Sequence, residues 1–408
     1  MSPSRRKFLS LAALTSGAMS LSGNLFASNS LTEEEYDLPA SIRDLKPMVD
    51  GIVPISVEER KQRIAKAQDL MAQEKIDAIF LEGTASSFYF TGMRWGQSER
   101  PFGVVIPASG SIAYVCPKFE EDRAMELINP VFGDEIRCWE EHESPYELIA
   151  GIVKDRGVKH KRIGMEERVR FFIADGVKKA APGFEIVDAT PITAGCRMYK
   201  SKAEIALMQK SSDITIEAYK AAFATLRPNM TQAEFRANIS AAFRQLGYTG
   251  SAMVNIGKYS AMPHGSIVPQ TIYEGDVVLV DGGTSCEGYA SDITRTVVLG
   301  KPSQRQIDVW NLEKEAQDAA FSAIKIGATC DSVDAAARAV IESAGFGKDY
   351  KLPGLPHRTG HGIGLEGHEW TNFVKGNMTK IAPGMCFSNE PTIAIPGEFG
   401  IRLEDCLY

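Results

Sequence analysis

Residues 280–296 read Val280-Asp281-Gly282-Gly283-Thr284-Ser285-Cys286-Glu287-Gly288-Tyr289-Ala290-Ser291-Asp292-Ile293-Thr294-Arg295-Thr296. They read as a hairpin that turns near Cys286, Glu287 and Gly288, which leaves Asp281 and Asp292 equidistant from the turn. Opposed residues of an antiparallel pair set their side chains about 5 Å apart on one face, and like charges there repel. A second stretch repeats the pattern: Asn389-Glu390-Pro391-Thr392-Ile393-Ala394-Ile395-Pro396-Gly397-Glu398-Phe399-Gly400-Ile401-Arg402-Leu403-Glu404. Its turn falls at Pro396-Gly397, so Glu390 faces Glu404, with Arg402 on the same face. Either pair alone reads equally well as exposed surface acid. Two such pairs in one domain, each beside apolar strand residues, call for counter-charge, because an unpaired buried carboxylate costs several kcal/mol. Four carboxylates can neutralise two divalent cations.

Nitrogen ligands are available nearby. His357, His361 and His368 fall within twelve residues in Leu355-Pro356-His357-Arg358-Thr359-Gly360-His361-Gly362-Ile363-Gly364-Leu365-Glu366-Gly367-His368-Glu369, and His264 follows Met262-Pro263. His142 and His160 stand among charged residues and read as surface side chains. The His357/His361 spacing imitates a zincin helix, but Gly360 and Gly362 oppose a helix and no Glu follows His357. Gly362, Gly364 and Gly367 imitate a dinucleotide fingerprint, yet no strand is expected before them and Glu366 lies inside the motif.

The remainder of the 408 residues indicates two globular domains. The formal net charge is −7 and no basic, aromatic-interleaved patch occurs, so no nucleic-acid partner is expected. Seven scattered cysteines form no C-x-x-C pair and read as buried free thiols. Capping pairs Ser56/Glu59, Ser201/Glu204, Thr231/Glu234, Ser303/Gln306 and, more weakly, Asp331/Asp334 announce helices, the second running to the break at Pro228. Strands are expected at 78–81, 103–106, 112–115, 277–280, 293–299, 385–389 and 400–407. The pattern gives an α/β domain at 44–190 and an α+β domain at 198–408.

The chain opens Ser4-Arg5-Arg6-Lys7-Phe8-Leu9, followed by an uncharged run to Ala27 diluted with serine, glycine and asparagine. Residues 1–27 therefore read as a removable twin-arginine signal rather than a membrane span, which implies a periplasmic protein with no stable span once it is removed. Its loss removes three positive charges and takes the net charge from −7 to −10.

Val280-Asp281-Gly282-Gly283, Ser291-Asp292-Ile293-Thr294-Arg295-Thr296, Gly360-His361-Gly362-Ile363-Gly364, Asn389-Glu390-Pro391 and Arg402-Leu403-Glu404-Asp405 together resemble the pita-bread metallopeptidases. Tyr89-Phe90-Thr91-Gly92 and Ile163-Gly164-Met165-Glu166 resemble the creatinase-type amino-terminal domain, which points to the Xaa-Pro aminopeptidase and prolidase branch. The resemblance implies a pita-bread catalytic domain that cleaves peptides with proline after the scissile bond. It implies Asp281, Asp292, His361, Glu390 and Glu404 as metal ligands, with Asp292 and Glu404 shared between two ions. It assigns proton transfer to Glu390, contacts with the substrate or transition state to His264 and His368, a further substrate-side position to His357, and carboxylate orientation to Arg402. The family's metals are manganese or cobalt, sometimes zinc or iron, and the oxygen-rich set favours manganese. A homodimer is also implied. Family members continue beyond the position of Tyr408, so a short final strand is expected. The alternative is another hydrolase or lyase on the creatinase scaffold, acting on a small non-peptide amide or osmolyte; a non-catalytic binding module is a third reading.

The export reading predicts that changing Arg5 and Arg6 together to lysine traps the protein in the cytoplasm. Cell fractionation checks this, and a paired variant still reaching the periplasm refutes it.

Overall fold

The computed structural model describes residues 38–408, so the signal reading for 1–27 lies outside the described residues. No helix among those residues is long and apolar enough to cross a membrane.

The amino-terminal domain is a six-stranded mixed sheet with helices packed on it. Its strands are β1 (Ala78–Glu82), β2 (Gly103–Pro107), β3 (Ala113–Pro117), β4 (Glu135–Trp139), β5 (Arg162–Met165) and β6 (Glu185–Asp188), in the order β4-β3-β2-β1-β5-β6. The three central strands β1, β2 and β3 are buried along their whole length, which is why they read as continuous apolar runs. The outer strands β4 and β6 are only partly buried and carry charge, so their sequences gave no strand signal.

The 44–190 boundary needs adjustment at both ends. Ile42, with Leu45 and Met48 against it, packs into the core of the second domain beside Ile214 and Phe235. Helix Thr190–Arg197 closes the first domain instead, burying Ile192 and Cys196 with Ile79 and Leu81.

In the second domain β7 (Gly250–Ile256), β8 (Val277–Cys286), β9 (Tyr289–Ala290) and β10 (Ile293–Val298) form one sheet. A second sheet has the order β12 (Glu369–Phe373), β11 (Gly360–Gly362), β13 (Phe387–Asn389), β16 (Asp405–Leu407). The hairpin β14 (Thr392–Ile395) and β15 (Phe399–Arg402) forms a separate two-stranded sheet. Long helices Lys202–Phe223, Gln232–Gln245, Gln304–Ala323 and Cys330–Ser343 cover the outside.

Four helix starts carry the expected caps: the Ser56, Ser201, Thr231 and Ser303 hydroxyls accept from Glu59, Glu204, Glu234 and Gln306 amides. The second helix stops at Phe223, short of Pro228. The Asp331/Asp334 start is wrong: Thr329 is the cap, accepting from Ser332 N. Asp334 is buried one turn in, where it pairs with Arg338 and accepts from the Thr359 amide and hydroxyl.

The first hairpin is also out of register with expectation. Its turn is Glu287-Gly288, both at positive φ (50° and 90°), flanked by paired Cys286 and Tyr289. That is the two-residue turn that matches strand twist. Asp281 consequently opposes Thr294, and Asp292 sits diagonally, still on the same face. Gly282 and Gly283 let the neighbouring strands close in; a Cβ would lie 2.4 Å from Ser251 O and 2.3 Å from Ser291 O. The second hairpin holds its expected register: Thr392 opposes Arg402 and Asn389 opposes Asp405, which brackets Glu390 with Glu404. The strand expected at 400–407 is broken at Leu403–Glu404, opposite Pro391, whose missing N–H removes a rung.

His361 lies on strand β11. Gly360 serves the sheet itself, since a Cβ there would meet Ser388 O at 2.1 Å. A strand therefore does precede Gly364, but β12 follows rather than a helix, so the dinucleotide motif has no helix N-terminus to use.

The domains meet at a buried charged knot. Arg197, from the joining helix, reaches Glu369 at 2.5 Å, Glu366 at 2.9 Å and Ser86 at 2.8 Å. Lys200 also binds Glu369 at 3.0 Å, and Ser86 passes a hydrogen bond of 2.6 Å to Glu166. Burial acts to raise the Glu369 carboxyl, but Arg197 and Lys200 outweigh it and hold the group below the usual range. Removing one partner strands the others in a dry site. Arg197→Met should destabilise the protein by about 3–5 kcal/mol, read from urea unfolding midpoints.

Candidate metal centre and active site

A cavity of about 420 Å³ in the second domain is lined by Asp281, Asp292, His361, Glu390, Glu404, Arg402, His264, His357 and His368, together with Pro263 and Arg358. Every site residue singled out in the sequence thus reaches one space. Asp281 arrives on β8, Asp292 just before β10, His361 on β11, and Glu390 and Glu404 from the splayed gap between the two ladders of the second hairpin.

Ligand atoms of Asp292, His361 and Glu404 all lie within 4.8 Å of one another. His361 Nε2 stands 3.2 Å from Glu390 and 3.8 Å from Asp292. His361 Nδ1 meets the Gly362 carbonyl at 3.0 Å. A carbonyl can only accept, so Nδ1 carries a proton, and Nε2 is the nitrogen that faces the carboxylates and that a metal would take.

The carboxylates are crowded beyond what protein partners satisfy. Burial, then Asp281, pushes Asp292 up to about 7. Burial also drives Glu404 well above the usual range, with Asp292, Glu390 and Asp281 adding to it. Glu404 Oε1 is buried without a hydrogen-bond partner. Burial acts to raise Glu390 too, but His361 and Arg402 overcome it and hold the group down at about 2. Protons or cations must relieve such a cluster. One imidazole and four carboxylates, one with an orphaned buried oxygen, fit a hard divalent pair.

Thr294 and Arg402 hold the cluster in shape. The Thr294 hydroxyl lies 2.8 Å from Asp281 and 2.7 Å from Glu404 and accepts from Arg402 Nε at 3.1 Å. Its single proton serves one carboxylate at a time. Arg402 also donates to Asp281 and stands 3.8 Å from Glu390.

The histidines differ in what they can offer. Burial, then His361 and Arg358, lowers His368 to about 4, so it is a neutral imidazole at pH 7. His357 is lowered mainly by burial; its Nδ1 is 2.7 Å from Arg358 O and its Nε2 2.9 Å from Thr392 Oγ1. Neither ring nitrogen of His357 is free for substrate, so this arrangement makes it a brace between β14 and the 357–359 segment. His142 and His160 are exposed, and all seven cysteines are free.

Several residues escaped the sequence reading. Thr294 lay in a quoted motif, and its shared parity with Asp292 was the signal available. Cys406 clasps the Asp292 backbone, 3.4 Å from its amide and 3.2 Å from its carbonyl. Glu313 and Gln317, one turn apart on helix Gln304–Ala323, support the gap from behind. Gln317 donates to Asn389 O at 3.3 Å and to Asp405 at 3.2 Å, and Glu313 is fully buried near the Leu403 amide with neither carboxylate oxygen hydrogen-bonded. Nothing in a helix sequence marks such a pair.

An α/β amino-terminal domain and a carboxylate-rich centre held between two antiparallel hairpins define the class: a pita-bread metallohydrolase with a creatinase-type first domain. Residues 206–408 match metallopeptidase family M24, and residues 63–199 match the creatinase/prolidase N-terminal domain. An uncharacterised peptidase of Schizosaccharomyces pombe is 35% identical over 380 residues, 88% of this chain and 82% of that protein. An Xaa-Pro dipeptidase of Lactobacillus helveticus is 32% identical, covering 84% of this chain and 92% of its own length. The crystal structure of dipeptidase PepE from Mycobacterium ulcerans superposes with a TM-score of 0.80 at 31% identity, over 87% of this chain and 94% of that one. The chain belongs to metallopeptidase family M24.

Glu313 supplies a pH test. Burial pushes its carboxyl well above the usual range, only partly offset by the Leu403 amide, Lys314 and Arg402. Above the unfolded value of about 4.3 the folded state keeps a proton that the unfolded state has lost, so this group's contribution falls as pH rises. Glu313→Gln does not titrate and should gain stability relative to wild type between about pH 5 and pH 8. Urea midpoints that move in parallel over that range would show an ionised Glu313.

Proposed function

We propose that this protein is a two-metal peptidase that hydrolyses the bond before proline in small peptides, as an Xaa-Pro dipeptidase or Xaa-Pro aminopeptidase. The observation that carries the reading is the convergence of Asp281, Asp292, His361, Glu390 and Glu404 on one cavity, with Glu404 left an orphaned buried oxygen. These five residues would hold the ions, manganese fitting the donor set best and cobalt, zinc and iron being alternatives. The creatinase-type first domain and the relatives' activity support the proline preference, and nothing in the site favours the non-peptide alternative.

When bound, such ions supply Lewis acidity, acidifying water and neutralising charge at the scissile carbonyl oxygen. The chain's own groups do the rest. Glu390, held ionised, takes the proton that the attacking water loses and delivers it to the proline nitrogen, which leaves as a secondary amine. That nitrogen carries no N–H before cleavage, so recognition of the bond cannot use a donor there. His368, neutral at pH 7, can donate a hydrogen bond to the carbonyl oxygen as it gains charge, and His264 stands on the same cavity wall. Arg402 and Thr294 keep the carboxylates apart in fixed orientations. We also propose export by the twin-arginine route to the periplasm, supported by Arg5-Arg6, and assembly as a homodimer.

With manganese added, Ala-Pro should be cleaved at least about 100-fold faster than Ala-Ala, in line with a site built around one side chain. Equal rates would remove the proline assignment and leave a general metallopeptidase.

Asp292→Asn and Glu404→Gln should lower metal content from about two per chain and abolish turnover. His368→Ala should keep its metal and lose turnover by about 10²–10³-fold. Elemental analysis beside steady-state rates separates the two classes, and a native metal content and rate in Asp292→Asn would sink the ligand assignment.

A further inference from the structure

Two cysteines of the first domain stand apart from the other five. Cys116 on β3 and Cys138 on β4 are register partners in the parallel ladder that joins these strands, and both thiols are free. They share a face of the sheet: Cys116 belongs to the core that contains Ile79 and Tyr114, and Cys138 packs against that same core. Neighbouring strands run about 4.8 Å apart, which lies inside the Cα separation of roughly 4.4–6.8 Å that a disulfide spans. The thiols are near enough that each acts on the other's hold on its proton. Among the described residues no other two cysteines are strand partners.

Strand β4 is weakly held. It is an edge strand, paired with β3 alone, and four of its five residues are only half-buried. Pro117, next to Cys116, has no N–H to give the ladder. The two thiols differ in access. Cys116 is fully buried and donates to the Pro117 carbonyl at 3.3 Å, whereas Cys138 is half-buried and hydrogen-bonded to Glu121. Burial, then Glu121, pushes Cys138 up to about 11, and burial pushes Cys116 up to about 12. Both thiols therefore stay protonated near neutral pH, and closure is slow unless a reactive disulfide is offered.

We propose that Cys116 and Cys138 are a disulfide site, which staples β4 to β3 once the folded chain meets a disulfide-bearing oxidant. Cys138, the accessible thiol, passes its proton to Glu121 and attacks one sulfur of the oxidant; that S–S bond breaks, and the departing thiolate recovers a proton. Cys116 then loses its proton and attacks the Cys138 sulfur of the mixed disulfide, expelling the second oxidant thiolate, which takes up that proton. Two cysteine thiols are oxidised, one oxidant disulfide is reduced to two thiols, and no net proton is released. Export by the proposed route delivers a folded chain to an oxidising compartment, where such a bond persists; closure in vitro does not depend on export.

The reduced full-length protein, kept folded, is incubated with oxidised glutathione, quenched in acid, unfolded in urea with an alkylating agent and mapped by mass spectrometry without reduction. Titratable thiols should fall by two, from seven to five, with one cross-linked peptide pair joining Cys116 to Cys138, and dithiothreitol should restore all seven. Closing a loop of about twenty residues should raise the thermal unfolding midpoint by roughly 5 °C. Cys116→Ala should stop at a glutathione adduct on Cys138, and Cys138→Ala should lose no further thiol. Seven thiols remaining in the native protein, a stable adduct on Cys138 beside a free Cys116, cross-links spread over the other cysteines, or thiol loss in Cys138→Ala would each overturn the site. Closure with no upward thermal shift would overturn the staple.

Discussion

The mutual repulsion of four carboxylates in one enclosed space is the constraint on which the catalytic domain is organised. Asp281, Asp292, Glu390 and Glu404 come from two hairpins and share a cavity with a single imidazole ligand candidate and a single committed guanidinium. Protein donors cannot satisfy all eight carboxylate oxygens there, and Glu404 keeps one bare. The surrounding architecture serves to hold that repulsion in place. Thr294 and Arg402 brace the front, while Cys406 and Gln317 grip the backbone from behind. Such a cluster is unfavourable for folding alone and favourable once divalent charge enters it, which is how a metal site is built into a sheet.

The first domain takes part in this through the buried knot at Arg197. Its partners Glu366 and Glu369 flank the segment that carries His368, and Arg168 of the first domain reaches Glu366 at 3.0 Å. The loop that positions the imidazole is thus fixed on both sides by charged contacts that originate outside the catalytic sheets. Buried pairs of this kind add little net stability, but their geometry is exacting, because a misplaced partner leaves an uncompensated charge. Domain placement and the position of His368 are therefore linked by the same few hydrogen bonds.

The two arginines of the cavity show how burial and commitment separate roles. Arg402 is surrounded by carboxylates that hold its charge in place, so it acts on the centre alone. Arg358 projects from a backbone fixed by His357 and Asp334 and has no such claim on it. His357 and His368, alike in sequence, divide in the same way: one has both nitrogens spent on the fold, the other keeps its ring on the cavity.

Side-chain parity and turn position were legible in the sequence, and they carried most of the site. Glu390 and Glu404 lie symmetrically about Gly397, and the ladders on either side keep that register. Asp281 and Asp292 were placed on one face correctly but opposite each other wrongly, because a two-residue turn at Glu287-Gly288 moves the register without changing parity. The buried central strands of the first domain were readable, whereas half-exposed β4 and β6 were not, since apolar runs report burial rather than strand as such. His361 on a strand, Asp334 as a buried anchor and Glu313 behind the centre depended on contacts between segments far apart in the chain. The sequence by itself determined which residue types carry the chemistry and which face of each hairpin they share, because both follow from local periodicity. Only the tertiary structure decided which nitrogen of each histidine is free, which arginine is committed and which carboxyl oxygen is left bare, because those depend on partners brought together by packing.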